Sequence, residues 1–358
     1  MPSLAEFSAK PRASLPSRCR EGQGEGIRSV ELDGFRQVTT NSRFIDATDP
    51  LTPPAGLEGA VVAIGNFDGL HRGHRGVIAR AKALAAKLGK PCAVLTFEPH
   101  PADFFAKKSV IFRLTSHEAK AAFLDRLGLD GIIVLTFDAT LSGLTAQQFV
   151  DDVLVRRLGV SGVVAGYDFH FGAKRLGTPE FLKAEGARQG FAVDIVERIS
   201  QDEEGSLDAV SSTATRAALE SGDVALAARL LGHPWFVEGE VIHGAKRGRT
   251  IGFPTANIAL DPSCKLRHGI YAVTLTVDGK TFGGAANFGK RPTFDDGPPL
   301  LEVYVLDFDG DLYGTIVEVA FIGFIRPEAK FDSVEALVVR MNEDVAEARR
   351  MLADQASR

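Results

Sequence analysis

The sequence predicts two domains of different class. A doubly wound parallel α/β sheet is expected over residues 26–218, and a small antiparallel β-barrel with a C-terminal helix over residues 234–358, with linker helices at 219–233 between them. Three observations predict this. The chain has 358 residues, more than one typical domain holds. From residue 59 to about 200, short apolar runs alternate with helical patterns, the order of a parallel sheet with helices on both faces. After about residue 232, strand-like runs follow closely with no helix between them, which is the pattern of a small barrel.

The runs of the first half are "AVVAI", "CAVLTF", "GIIVLTF", "SGVVAG" and "FAVDIV", each with the length and Val/Ile/Phe content of a buried strand. Between them, Val77, Ile78, Ala81, Leu84, Ala85 and Leu88 recur at helical spacing, and Gly89 supplies a stop. Thr145 and Gln148 have capping-box spacing before "FVDDVLVRRL". Thr178-Pro179 reads as a cap followed by proline at the first helical position. In the second half the runs are "WFVEGEVIHG", "GIYAVTLTV", "TFGGAANF", "LEVYVLDF" and "DLYGTIVEVAF". Asp278-Gly279 and Asp309-Gly310 read as hairpin turns. The last helix has a capping-box pattern in Asp332 and Glu335, and an apolar stripe of Val334, Leu337, Val338, Met341 and Val345.

Composition narrows the function classes. Apolar residues make up 45% and no unbroken apolar run approaches a membrane span. A net charge of −5 gives no basic field to draw in nucleic acid. Cys19, Cys92 and Cys264 are widely separated and form no disulfide framework, which points to a reducing, cytoplasmic compartment. Residues 1–25 mix Ser, Pro, Arg and Gly without periodicity or an apolar core, so a disordered tail or a misassigned start is expected. Arg and Ser would suit a transit peptide, but Glu6 and Glu21 do not.

The densest chemistry lies at the end of the first strand, in "GNFDGLHRGH" (65–74). Ligands of doubly wound sheets bind beyond the carboxyl ends of the strands. Gly65, Gly69 and Gly73 permit close backbone approach, and the free N–H groups of a helix start favour phosphate. His71 and His74 are three apart and face the same way. A zinc site, simple capping and a plain glycine turn are the competing readings; the pair is not HExxH and no third ligand is evident.

"GNFDGLHRGH" resembles the nucleotidyltransferase signature, in which HxGH grips ATP phosphates. "TFEPHP" (96–101), "GYDFHFG" (166–172) and "VSSTATRAALESGDVALAARLLG" (210–232) resemble, in order, the further motifs of the prokaryotic bifunctional riboflavin kinase/FAD synthetase family, and the resemblance covers nearly all of the chain from about residue 30. It implies an FMN adenylyltransferase domain followed by a riboflavin kinase domain. The first domain would transfer AMP from ATP to FMN, with His71 and His74 stabilising the transition state and Asn66, Asp68, Gly69 and Gly73 forming the ATP turn. Ser211, Ser212, Thr213 and Arg216 match its SSTxxR phosphate loop, and Asp168 and Phe169 its flavin segment. The family often carries Arg where this chain has His170, which could weaken phosphate binding or make it pH-dependent.

In the second half, "GAKRGRTIGFPTANI" (244–258) crowds Gly248 and Gly252 among Lys246, Arg247 and Arg249, a phosphate-loop composition; a nucleic-acid patch is the weaker reading for an acidic chain. "GAANFGKR" (284–291) spells GxxxxGK but lacks the Ser or Thr and the helix, and is read as a false P-loop. "GFPTAN" resembles the riboflavin kinase signature, which implies Mg2+ with ATP held through Thr255 and Asn257; a proline turn is the bland alternative. Alternation puts Glu302, Tyr304 and Leu306 on one face. A solvent-facing carboxylate would be ordinary there, but the resemblance makes Glu302 the base for the riboflavin 5′-hydroxyl. "ANFGKRPTF" (286–294) and "IRPEAKF" also match family segments, and the resemblance places Arg326 and the last helix on the flavin side. The partners expected are ATP, riboflavin and FMN, with FAD as product, no nucleic acid, no membrane and at most weak self-association. The alternatives are an enzyme with one dead site and a flavin-responsive binder without turnover; intact His71, His74, Thr255, Asn257 and Glu302 weigh against both.

Overall fold

The computed structural model describes residues 44–197, 210–244, 251–289 and 300–357. The expected tail over 1–25 and Gly248 lie outside the described residues.

Six parallel strands form the first sheet: β1 (Ile45–Thr48), β2 (Val61–Ile64), β3 (Cys92–Glu98), β4 (Gly131–Thr136), β5 (Gly162–Gly166) and β6 (Ala192–Val196), in the spatial order β1-β4-β3-β2-β5-β6. Its helices are α1 (Arg72–Leu88), α2 (Pro101–Ala106), α3 (His117–Arg126), α4 (Ala139–Gly143), α5 (Ala146–Gln148), which continues as a π-helix over Phe149–Arg157, and α6 (Pro179–Gln189). Both faces of the sheet are covered. Val61 and Ala63 of β2 pack with Val77, Ile78 and Ala81 of α1, whereas Val62 and Ile64 pack with Phe149, Val150 and Leu182 of the π-helix and α6. Strict alternation along one strand thus feeds two apolar cores, which is why these strands read as unbroken apolar runs. The cap signals are present: Gly89 ends α1 in the left-handed region, Thr145 and Gln148 bond reciprocally, and Thr178 caps α6.

The order of strands fixes where a ligand can enter. β2 pairs with β3 on one side and β5 on the other, so the chain crosses over β2 between β4 and β5. That crossover opens a crevice at the carboxyl ends of β2 and β5. "GNFDGLHRGH" leaves β2 into that crevice, and "GYDFHFG" leaves β5 beside it.

Helices α7 (Ser212–Ser221) and α8 (Val224–Leu231) lead to a closed six-stranded barrel. Its strands are β7 (Phe236–Ile242), β8 (Thr255–Ala259), β9 (Gly269–Val277), β10 (Lys280–Gly289), β11 (Leu300–Val305) and β12 (Ile316–Arg326), in the order β10-β11-β8-β7-β12-β9. α9 (Val334–Ala356) follows. Ala218, Leu219, Val224, Ala227, Leu230 and Leu231 share one apolar core with the barrel interior, so α7 and α8 pack as part of its base. Trp235 Nε1 donates to the Leu114 carbonyl at 2.8 Å and Arg113 N–H to Ser263 Oγ at 3.0 Å, fastening the barrel to the α/β domain.

Several local expectations are corrected. "AVVAI" is the second strand, because the four-residue β1 adds to the sheet edge beyond β4. Asp278-Gly279 is a two-residue hairpin with both φ values positive, but Asp309-Gly310 is not a hairpin: β11 and β12 do not pair, and β11 lies between β10 and β8. Ser333, not Asp332, caps α9 through Ala336 N–H. β11 ends at Val305, so Leu306 leaves the face shared by Glu302 and Tyr304 and is buried elsewhere. The false P-loop reading holds over its described part, since residues 284–289 are strand β10.

Candidate active sites

At the switch point, His71 is the N-cap of α1 and its Nδ1 accepts from His74 N–H at 3.2 Å. The two rings stack with centroids 3.6 Å apart. Gly73 stands against the His71 ring, where a Cβ would come within 3.1 Å of it. Burial, with the Arg216 guanidinium nearby, pushes the His71 pKa down to about 4. Burial, then His71, Lys120 and Arg216, hold His74 well below its ordinary value. Both rings are therefore neutral at pH 7. Since Nδ1 of His71 accepts, its proton sits on Nε2. Nδ1 of His74 is buried without a partner among the described residues.

Asp68 is the hub beneath the histidines. It is 5% exposed, and its Oδ1 accepts from Leu114 and Thr115 N–H at 3.0 and 3.1 Å. Its Oδ2 pairs with Arg216 at 2.5 Å, and its carbonyl accepts from Ser212 Oγ at 2.9 Å. Arg216 also donates through Nε to the Phe112 carbonyl at 2.7 Å. Gly69, at φ +83°, donates to Thr115 Oγ1 at 2.7 Å; a Cβ there would strike Leu114 at 2.8 Å. Asn66 meets His100 Nε2 at 3.1 Å, and its carbonyl accepts from Lys120 Nζ at 3.0 Å. Ser211 caps α7, and Thr213 is exposed on its first turn. The structure thus brings Asn66, Asp68, Gly69, Gly73, His71, His74, Ser212 and Arg216 into one constellation. Asp68, Ser212 and Arg216 spend their polar groups on one another and on backbone.

Sequence reasoning missed Lys120, which is 3% exposed and whose ammonium pKa is lowered by burial although Glu98 and Asp68 oppose the shift. It carries no motif and lies in an ordinary-looking helix. Asp168 and Phe169 lie past the end of β5. Asp168 is exposed, Phe169 stacks on Phe171 at 5.4 Å, and His170 Nδ1 contacts the Asp168 carbonyl at 2.9 Å.

The second site is a cavity of about 1000 Å3 in the barrel. Thr255, Asn257, Glu302, Tyr304 and Arg326 all line it. Strand register explains the gathering: Glu302 faces Asn257 across β11 and β8, and Tyr304 faces Thr255. Asn257 is 4% exposed and donates Nδ2 to the Thr255 carbonyl at 3.2 Å. Gly244 lies against the Asn257 amide, where a Cβ would come within 2.5 Å. Gly252, at φ +86°, adjoins the lining residues Ile251 and Phe253. Arg326 forms a bidentate pair with Asp344 of α9 at 2.7 and 2.6 Å. The α9 stripe serves the cavity: Leu337, Met341 and Val345 line it, while Val334 is 56% exposed. Asn287 of β10 also lines the cavity and was not singled out in the sequence.

A phosphate-receptive switch point and a barrel with a carboxylate facing an amide–hydroxyl pair define a two-site nucleotide-dependent transferase. The FAD synthetase family model matches residues 54–214 and the riboflavin kinase family model residues 231–352. A bifunctional riboflavin kinase/FMN adenylyltransferase of Pseudomonas fluorescens is 43% identical over 301 residues, covering 84% of this chain and 95% of that protein. That of Haemophilus influenzae is 42% identical, covering 82% and 94%. A crystal structure described as a macrolide-efflux protein from Streptococcus pneumoniae has a TM-score of 0.73 at 33% identity, covering 86% of this chain and 99% of that one. The chain belongs to the bifunctional riboflavin kinase/FMN adenylyltransferase family. It is a transferase with both activities, adenylyltransferase domain first and kinase domain second. Among the described residues, no helix is long and apolar enough to cross a membrane.

Proposed function

We propose that the barrel cavity phosphorylates riboflavin and that the switch-point crevice adenylylates the FMN so formed. The observation that carries the kinase assignment is the register of Glu302 with Asn257 inside a cavity large enough for a nucleotide and a flavin together. An alcohol must lose its proton as it attacks phosphorus. Glu302 takes the proton of the riboflavin 5′-hydroxyl while that oxygen bonds to the γ-phosphorus of ATP. The bond from the γ-phosphorus to the bridging oxygen breaks and ADP leaves; the proton passes from Glu302 to water.

Thr255 and Asn257 suit a magnesium ion. The Asn257 Nδ2 is engaged with the Thr255 carbonyl, so its oxygen is the end left for a cation. A hydroxyl and an amide oxygen are the hard neutral ligands that magnesium combines with water and phosphates. Bound there, the ion would supply charge neutralisation on the triphosphate. Gly252 gives the phosphates close backbone approach.

In the crevice the attacking group is the FMN phosphate, already ionised, so no base is needed. Its oxygen bonds to the α-phosphorus of ATP, and pyrophosphate leaves with the electron pair. His71 donates from Nε2 to a phosphate oxygen, and His74 supports it from the stacked position. The start of α1, Gly73, Ser211 and Thr213 complete the anion cradle. Asp68 and Arg216 act through position, holding the loop. Asp168 and Phe169 border the flavin. We place the enzyme in the cytoplasm, in keeping with the free Cys92 and Cys264.

An HPLC time course with riboflavin, ATP and magnesium tests both halves. Wild type should form FMN and then FAD. His74→Ala should stall at FMN, with adenylylation down about 100-fold or more. Glu302→Ala should lose riboflavin phosphorylation by about 100-fold or more yet still adenylylate supplied FMN. Tight flavin binding without either product would replace the enzyme reading with that of a binding protein.

A further inference from the structure

β10 brings a third polar side chain into line with the two already assigned. Asn287 stands opposite Glu302 on β11 and opposite Ile270 on β9, and all three line the cavity. Because Glu302 faces Asn257 on its other side, Asn257, Glu302 and Asn287 form one row across three adjacent strands. Asn287 Oδ1 is closed off from solvent and has no hydrogen-bond partner among the described residues. Leaving such an acceptor unpaired is costly, so an orphan facing a ligand cavity points to a partner that arrives with the ligand.

Position along the row says which part of the ligand that is. On the Asn257 side stand Thr255 and Pro254, the phosphate end. Phosphate oxygens at neutral pH have no proton to give an acceptor. Beyond Asn287 the next strands place Ile270 and then Arg326, which faces Ile270 and is tied by Asp344 to α9. There Leu337, Met341 and Val345 give the cavity an apolar wall suited to an aromatic ring. A riboflavin with its 5′-hydroxyl at Glu302 and its ring on that wall carries its polyol past Asn287. Facing residues on adjacent antiparallel strands have Cα atoms about 4.5–5.5 Å apart, a span matched by the hydroxyl oxygens of an extended polyol on carbons two apart, with the intervening hydroxyl between them.

We propose that Asn287 is a positioning and specificity-determining residue of the kinase site: its Oδ1 accepts a hydrogen bond from the 3′- or 4′-hydroxyl of the flavin polyol and so turns the 5′-hydroxyl towards Glu302. The inference rests on the kinase reading of the cavity.

The test measures phosphorylation of riboflavin, 3′-deoxyriboflavin and 4′-deoxyriboflavin by wild type and Asn287→Leu. With wild type, one deoxy compound should lose about ten-fold in kcat/KM, the worth of one neutral hydrogen bond. With Asn287→Leu, riboflavin should fall by a similar factor and its advantage over that compound should vanish, while the KM for ATP stays as it was. Equal losses for all three flavins in the variant would mark a merely structural role and overturn the proposal. So would a wild type that treats the three alike, an arm that needs no variant to fold. Glu302→Gln separates the two levels. If it phosphorylates riboflavin at the wild-type rate, the kinase reading itself fails; if it is inactive while the flavin series shows no discrimination, only the role of Asn287 fails.

Discussion

Single residues set the pH behaviour of the switch-point crevice. Burial lowers the pKa values of His71, His74, His100 and His233 from the ordinary 6.5. Each therefore binds its proton more readily in the unfolded chain. Above pH 6.5 they contribute no pH dependence; as pH falls below that, the unfolded state gains protons first and stability drops. For His71 the loss runs from 6.5 to about 4 and is worth about 3 kcal/mol. Thermal unfolding between pH 7 and 4 should show a falling Tm, and His71→Asn should flatten part of that slope. ATP should oppose the drop, since a bound triphosphate favours the protonated rings. The motif histidines were legible from their spacing together with the glycine-rich junction after an apolar strand. The neutral state was not, because it follows from burial, with the Phe67 ring against His74 and the Arg216 charge nearby, which no local pattern announces. His170 is a simpler case: exposed and bonded to its own turn, it is free to reach a ligand. FMN affinity compared between wild type and His170→Arg across pH should diverge if it meets a phosphate.

At the scale of elements, two ion pairs hold the walls of the two sites. Asp68 and Arg216, with 6% and 16% side-chain exposure, join the loop after β2 to α7. Removing one partner of a buried pair strands the other, at a cost of about 3–5 kcal/mol. Arg216→Met should therefore lower the Tm and depress FMN adenylylation while riboflavin phosphorylation persists, as separate assays of the two reactions would show. Arg326 and Asp344 do the same for β12 and α9, and Arg326→Met should raise the KM for riboflavin more than that for ATP. Strands β2 to β6 and helices α1, α5 and α6 could be read from the sequence because both faces of the sheet are apolar and the caps use ordinary chemistry, whereas α2, α3 and α4 could not. β8 could not, since Phe253-Pro254-Thr255 resembles a turn and only pairing with β7 and β11 makes it a strand. β1 was equally silent: four half-exposed residues offer no apolar run. Asn287 sits in a segment that the family resemblance covers but to which no residue role was attached, because its place opposite Glu302 follows only from the pairing of β10 with β11.

For the whole molecule, the sequence expectation of linker helices at 219–233 meets a core that α7 and α8 share with the barrel. A fragment beginning at 234 would bare the barrel surface that Leu219, Val224, Leu230 and Leu231 cover. We expect a 210–358 fragment to be soluble and to phosphorylate riboflavin, and a 234–358 fragment to aggregate; size-exclusion profiles of the two decide it. Domain order and class were legible from the change of periodicity, whereas the place of the seam depends on which core the connecting helices join.

Residues 112–115 carry contacts from both halves at once. Asp68 holds the N–H groups of Leu114 and Thr115, Arg216 the carbonyl of Phe112, Trp235 the carbonyl of Leu114, and Ser263 the N–H of Arg113. One short stretch of main chain is therefore ballast for two catalytic centres. In a genetic screen for cells unable to make FAD, alleles at Trp235 or Ser263 should turn up beside those at His71 and His74. Sorted by map position alone, they would be misfiled as kinase lesions.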